Sequence, residues 1–341
     1  MPEPAVRPIL IDGSMGEGGG QILRTSLAAS LLTGTPFEIT RIRANRRRPG
    51  LLAQHLTAVR AAAEIANASV EGPRLHSERM VFHPGRVQPG EYGFDVGTAG
   101  SATLVLQTVL LPLAEAGGPS TVTVTGGTHN LGAPPYEFLE LVYLPLLRRM
   151  GVDVDVELER PGFHPAGGGR IIATIRPAGW RPLDLTERGS VRSVRARAVV
   201  SRLPLSIAHR ELAVLERRLA LPSASLTTEE VEADGPGNAV LVVVECDHIT
   251  EVFTGFGRRG LPAEEVAAGV ADQVERYLET GAPVGVHLAD QLLLPLVRAP
   301  GSRFLTSSST SHFETNLAVL RKFFRSGLAT EQTEAGVLVR S

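Results

Sequence analysis

The sequence has one cysteine, Cys246, and one lysine, Lys322. A lone cysteine excludes an internal disulfide and suits a reducing compartment, so a cytoplasmic location is expected. Cys246 lies in the apolar run LVVVEC, where a thiol packs as a small hydrophobe. The lysine stands in LRKFF, with no KxDG-type context, which excludes nucleotidyl transfer through a lysine nucleophile. It also excludes a phosphate loop closed by a Lys-Ser/Thr pair. No run of eighteen apolar residues is present, so no membrane-spanning helix is expected. Residues Met1 to Pro8 show no basic start leading into an apolar stretch, and no secretory signal is expected. No basic excess exists either: 34 Lys and Arg face 36 Asp and Glu, a net charge of −2. A polyanionic partner must therefore be held by local clusters rather than by an overall field. No histidine pair has HExxH spacing and there is no Cys/His quartet, which excludes the common zinc sites.

What remains is an ordinary globular composition, 341 residues with 43% hydrophobic and 21% charged side chains, enough for one large core or two smaller ones. Strand-like and helix-like stretches alternate, which predicts an α/β (α+β) class. One unit recurs: a turn rich in Gly, Ser or Thr leading into an apolar helix. It occurs as GSMGEGGG before QILRTSLAASLLTG, VGTAGSA before TLVLQTVLLPLAEAG, GGTHNLGAPP before YEFLELVYLPLLRRMG, and SSSTSH before FETNLAVLRKFF. This reads as a duplicated β/α unit. The middle differs, with strands at Val191–Val200, Leu226–Val231, Ala239–Glu245 and Ile249–Phe253 between helices at Ser206–Ala220 and Pro262–Thr280. Residues 185–282 are thus expected to form a smaller inserted α/β domain, with residues 1–184 and 283–341 forming the large one.

Several residues carry chemistry. Gly16 to Gln21, GEGGGQ, opens a helix whose free N–H groups and dipole attract phosphate. Glu17 within it would repel that phosphate unless a cation lay between them, which marks it as a candidate magnesium or manganese ligand. Gln107 would face a ligand from the first turns of the helix after GTAGS, and Pro134 and Pro135 would brace a flat ring. PAGGG, Pro165 to Gly169, reads as a hairpin turn. Arg41, Arg43, Arg46, Arg47 and Arg48 form a dense basic run with few acidic neighbours in sequence, suited to gripping a phosphate backbone without reading bases. His312 differs from the other eight histidines, standing where a hydroxyl-rich loop meets a helix, as a nucleophile towards phosphorus would.

Eight ordered blocks then carry a resemblance: DGSMGEGGGQILR, RANRRRPGLLAQHLTAV, GTAGSATLVLQTVLLPL, GGTHN with APP, GFHPAGGG, DGPGN, LADQLLLPL and SHFETNLAVL. Together they resemble the RNA 3′-terminal phosphate cyclases. The resemblance implies a large domain of three related β/α repeats with an inserted domain of thioredoxin-like topology. It implies ATP as co-substrate, a divalent metal, magnesium or manganese, and RNA bearing a 3′-terminal phosphate as partner. By position, His312 becomes the adenylylated nucleophile and Glu17 the metal ligand. Gln107, Pro134, His287, Asp290 and Gln291 would line the nucleotide pocket, while Arg24, Arg43, Arg46 and Gln54 would hold RNA phosphates. The family places an aromatic ring from the inserted domain against adenine; here Thr254 occupies that position, and Phe253 is taken as the substitute, with Phe256 close by. His287 falls where several members have tyrosine. Monomer and homodimer both stay open. Against a non-catalytic relative serving as a ribosome-assembly scaffold stands the presence of His312 itself, and against an enolpyruvyl-transferase-like enzyme stand the eight blocks and the arginine run.

Overall fold

The computed structural model describes residues 7–324 and 327–341, so residues 1–6 of the segment read for a secretory signal lie outside it. Three four-stranded sheets share one construction. The first unit runs β1 (Ile9–Asp12), α1 (Gly20–Thr33), β2 (Phe37–Thr40), α2 (Ala53–Ala66), β3 (Ser69–Glu71) and β4 (Met80–His83), in sheet order β1-β2-β4-β3. The second runs β5 (Glu91–Asp95), α3 (Ala102–Ala114), β6 (Ser120–Gly126), a helical stretch, β7 (Val154–Arg160) and β8 (Gly169–Ile175), in order β5-β6-β8-β7. That helical stretch is α4 (Tyr136–Phe138), a π turn at Leu139–Tyr143, and α5 (Leu144–Arg149). The third unit opens with β9 (Asp184–Leu185) and is then interrupted.

The interruption consists of β10 (Val191–Ser201), α6 (Ser206–Leu219), β11 (Leu226–Glu230), β12 (Gly237–Cys246), β13 (Thr250–Phe256) and α7 (Ala263–Thr280). The third unit resumes as α8 (Val286–Arg298), β14 (Arg303–Thr306), α9 (Ser311–Phe323), β15 (Ala329–Thr333) and β16 (Gly336–Arg340), in order β9-β14-β16-β15. In every unit the first two strands pair parallel and the last two join antiparallel. Each unit therefore uses one β-α-β crossover, then a second helix and a hairpin. The interrupting sheet is ordered β11-β10-β12-β13.

The apolar faces of the three units merge into one core, whose fully buried side chains include Phe37, Phe82, Phe304 and Phe313. The interrupting unit packs a second cluster around Val242, Val270, Val274 and Leu215 between its sheet and helices α6 and α7. Cys246 packs at the boundary of both, as an apolar group. Among the described residues no helix is long and apolar enough to cross a membrane.

Register explains the placement of α9. Phe313, Asn316, Leu317 and Leu320 recur at helical spacing and all face inward, so the preceding residue, His312, is turned towards the surface. Helix α1 packs against both α9 and α3, and α8 against α9. The first turns of helices from the first, second and third units thus meet in one place.

Candidate active site

The turn between β1 and α1 sets the geometry. Gly16 adopts φ +52°, and a Cβ there would lie 1.9 Å from the hydroxyl of Thr315 on α9, so only glycine fits. At Gly20 a Cβ would lie 2.2 Å from the His55 ring. The first approach presses the turn onto α9 and brings Glu17 against the first turn of that helix, while the second seats the start of α1 on α2. Ser311 Oγ donates to Glu17 Oε1 at 2.9 Å, Arg46 Nη2 donates to Oε2 at 2.6 Å, and His312 Nε2 lies 2.8 Å from Oε2. Burial pushes the Glu17 carboxyl upward, but the Ser311 hydroxyl, His312 and Arg46 together outweigh it and hold the group below the usual glutamate value.

The other imidazole nitrogen, His312 Nδ1, lies 2.7 Å from Gln21 Oε1. An amide oxygen only accepts, so Nδ1 carries a proton, and Nε2 presents a lone pair once the proton it shares with the Glu17 carboxylate has passed to that carboxylate. The amide is itself oriented, because Gln21 Nε2 donates to Asp290 Oδ2 on α8. Asp290 thus fixes Gln21, and Gln21 fixes the ring. Burial pushes the Asp290 carboxyl up to about 7, against the lowering pull of the Gln21 hydrogen bond and Arg24. A buried chain below locks the three helices: Thr25 Oγ1 donates to Asn316 Oδ1 at 2.6 Å, and Asn316 Nδ2 donates to the Asp290 carbonyl at 2.6 Å.

Arg24, Arg43, Arg46 and His55 converge beside this centre. Burial outweighs attraction to Asp290 and, with a smaller repulsion from Arg43, brings the Arg24 guanidinium down to about 10. Arg43 is 9% exposed, donates through Nη1 to the carbonyls of Arg48 (2.6 Å) and Gly50 (2.8 Å), and is lowered by burial and by Arg46. Burial and the two arginines push His55 down to about 3, so its ring is neutral. His55 Nδ1 accepts from the Leu52 N–H at 3.2 Å, which leaves Nε2–H facing Gly20. Clustered cations that lower one another are an anion site waiting for charge.

Nucleotide candidates line the adjoining helices. Gln107 on α3 donates to Gln291 Oε1 on α8 at 2.5 Å, and Gln291 donates to the His287 carbonyl at 3.0 Å. His287 is exposed at the surface of α8; partial burial and then neighbouring His312 hold it below the ordinary imidazole value. The Pro134 carbonyl accepts from Thr103 Oγ1 at 2.7 Å, one turn from Gln107. Gln54 accepts from the Ser101 N–H at 2.8 Å and so joins the first unit to the second.

Three readings change. Phe253 does not reach this region: it lies inside the interrupting unit, 9% exposed, with its ring 5.3 Å from that of Tyr277. Strand alternation is the reason, since β13 sends Phe253 towards α7 and Phe256 to the opposite face. The arginine run is not short of acidic partners, because Arg41 pairs with Asp12 and Arg46 with Glu17, each 29 residues away in sequence. Gln21 and His55 went unnoticed: a lone glutamine or histidine in sequence carries no signal, although each sits inside a block already singled out. The hairpin turn at Pro165–Gly169 joins β7 and β8 as expected.

Among the described residues no cluster of three or more His, Cys, Asp or Glu side chains forms a metal cage. The donors that face Glu17 are a hydroxyl, a guanidinium and an imidazole. A single carboxylate completed by water and phosphate oxygens is a usual magnesium arrangement, so these residues fit a cation that arrives with a phosphorylated ligand.

Comparison with known proteins gives a consistent result. A family model described as RNA 3′-terminal phosphate cyclase matches residues 15–329. A protein of Ralstonia nicotianae with that name is 48% identical over 99% of this chain and 97% of its own length. Others so named, from Ectopseudomonas mendocina and Koribacter versatilis, are 46% and 49% identical over 97% and 92% of this chain and 96% and 89% of their own. Among solved structures, the enolpyruvyl transferase NikO from Streptomyces tendae covers 50% of this chain and 33% of its own at 15% identity and a TM-score of 0.29, too slight a likeness to bear on fold or chemistry.

Proposed function

The chain belongs to the RNA 3′-terminal phosphate cyclase family, and from that premise we propose how its residues convert an RNA 3′-phosphate into a 2′,3′-cyclic phosphodiester while ATP is split to AMP and pyrophosphate. The observation that carries the reading is the chain Asp290–Gln21–His312, which leaves Nε2 as the nucleophilic nitrogen.

In the first step Nε2 passes the proton it shares with Glu17 to that carboxylate, its freed lone pair forms a bond to the α-phosphorus of ATP, and the bond from that phosphorus to pyrophosphate breaks. The ring becomes positively charged, and the Gln21 oxygen holds its Nδ1 proton throughout. In the second, an oxygen of the RNA 3′-phosphate attacks the same phosphorus and the P–N bond breaks, returning the electron pair to Nε2. In the third, the adjacent 2′-hydroxyl attacks the activated 3′-phosphorus, losing its proton, and AMP departs. Ring closure is intramolecular, so holding the terminal ribose still supplies much of the rate.

Gln107, Pro134, His287, Asp290 and Gln291 would surround the nucleotide, and the N-terminus of α1 with Arg24, Arg43 and Arg46 would receive phosphates. Glu17 would hold magnesium or manganese, which when bound offsets phosphate charge. The test of the reading is conversion of a 3′-phosphorylated oligoribonucleotide into its 2′,3′-cyclic form with stoichiometric AMP; an unchanged RNA end in the presence of ATP and either metal would refute it.

The orienting chain gives a pH prediction. Ionised Asp290 can only accept, which holds the Gln21 amide in one orientation, and its carboxyl titrates at about 7. Below that pH its own O–H competes for the Gln21 oxygen and frees the amide to turn. AMP incorporation into the protein should therefore rise as pH increases through about 7 and level off above it. Gln21→Leu should slow incorporation about 10- to 100-fold and erase that inflection. A Gln21→Leu profile with the same inflection would show that Asp290 acts by another route.

A further inference from the structure

A cavity of about 970 Å³ lies between the His129–Ala133 loop of the second unit and the interrupting unit. That volume is at the upper end of the roughly 300–1,000 Å³ typical of ligand sites. None of His312, Gln107, Pro134, Asp290 and Gln291 forms its wall, so it is not the ATP pocket outlined above. Its lining includes Gln54, the residue next to His55 in the arginine cluster. An RNA whose terminal phosphate sat at Arg24 and Arg43 would reach this cavity past Gln54.

The lining suits single-stranded nucleic acid. Phe256 and Ile207 offer apolar faces from the interrupting unit, and Leu131, 76% exposed, does so from the loop opposite. Arg258 and Arg259 stand exposed on the rim, and neither has a carboxylate within 4.0 Å among the described residues. Arg210, also in the wall, is already engaged by Glu264 at 2.6 Å. Asn130 adds an independent sign. It is 9% exposed, and its Nδ2 donates to the Ala99 carbonyl at 2.8 Å, yet its Oδ1 has no partner. A buried acceptor without a donor at a cavity wall matches an incoming O–H or N–H, which a 2′-hydroxyl or an exocyclic base amine supplies.

We propose that this cavity seats the nucleosides immediately upstream of the RNA 3′-terminal phosphate, with bases against Phe256 and Ile207 and phosphodiesters at Arg258 and Arg259. This rests on the cyclase reading and assigns it a substrate subsite. Stacking plus unpaired arginines gives grip without sequence preference.

The experiment compares wild type with Arg258→Ala/Arg259→Ala and with Ile207→Trp, which fills the cavity. Two readouts are taken: AMP incorporation from ATP alone, and KM for cyclisation of a nucleoside 3′-phosphate and of an oligoribonucleotide 3′-phosphate about ten nucleotides long. The expected result is an oligonucleotide KM raised about tenfold or more in each variant, loss of the preference for the longer substrate, and AMP incorporation within about twofold of wild type. The arginine variant changes only exposed side chains and stays informative if the tryptophan variant misfolds. Equal loss of AMP incorporation and cyclisation would assign the cavity to ATP and overturn the proposal. Unchanged KM in the arginine variant would also overturn it, pointing instead to another class of partner at this surface. A wild type that takes no AMP from ATP would sink the underlying reading instead, a distinguishable failure.

Discussion

Replacing His312 by alanine is expected to abolish AMP transfer, by about 10⁴-fold or more, because the other nearby imidazole, His287 on α8, has no hydrogen bond to Gln21 or Glu17 to orient it. Glu17 is an oxygen anion held by Ser311 and Arg46, and His55 is buried and faces away, towards Gly20. With ATP labelled at the α-phosphate, the wild type should carry an acid-labile, alkali-stable adduct and the variant none. The fold should survive the change. The His312 side chain is 44% exposed and outside the inward-facing stripe of its helix, so the stability cost is within about 0.5 kcal/mol. Label retained on a folded alanine variant would end the assignment.

Glu17→Gln should have the next largest effect, about a 10²- to 10³-fold loss of AMP incorporation. The substitution keeps the side chain's size while removing the charge that Ser311, Arg46 and His312 converge on. If Glu17 anchors the cation, the loss should shrink as magnesium or manganese is raised; a metal titration identical to wild type would contradict that role. The same geometry revises what Arg46 does. Its guanidinium is bound to Glu17 at 2.6 Å, so Arg46→Ala should slow AMP incorporation as well as RNA turnover. Arg43, tied instead to the carbonyls of Arg48 and Gly50, should act mainly on RNA turnover.

Much of this was readable in the residues because it follows from local patterning. Helices α6 and α7 and strands β10 to β13 fall close to the stretches their periodicity predicted, and the Gly-rich turns do open α1 and α3. The opening of the third unit was not legible: β9 is two residues long and carries no period of its own, yet it pairs with β14 and completes the shared topology. In the site, the side chains with unusual surroundings stood out, His312 and Glu17 among them. Gln21 did not, because its meaning lies wholly in partners on two other helices. Phe253 misled for a related reason: residues next to each other on a strand point to opposite faces, so nearness in sequence to Thr254 says nothing about sharing its surroundings.

The hydrogen bond from His312 to Gln21 joins positions 291 residues apart. During synthesis, the turn bearing Glu17 and Gln21 emerges long before the ring it meets in the folded chain. With His312 as the proposed nucleophile, the chain would be chemically silent on the ribosome until nearly all of its last unit has been made. Translation products cut short ahead of α9 would be inert towards nucleoside triphosphates rather than half-active and unregulated.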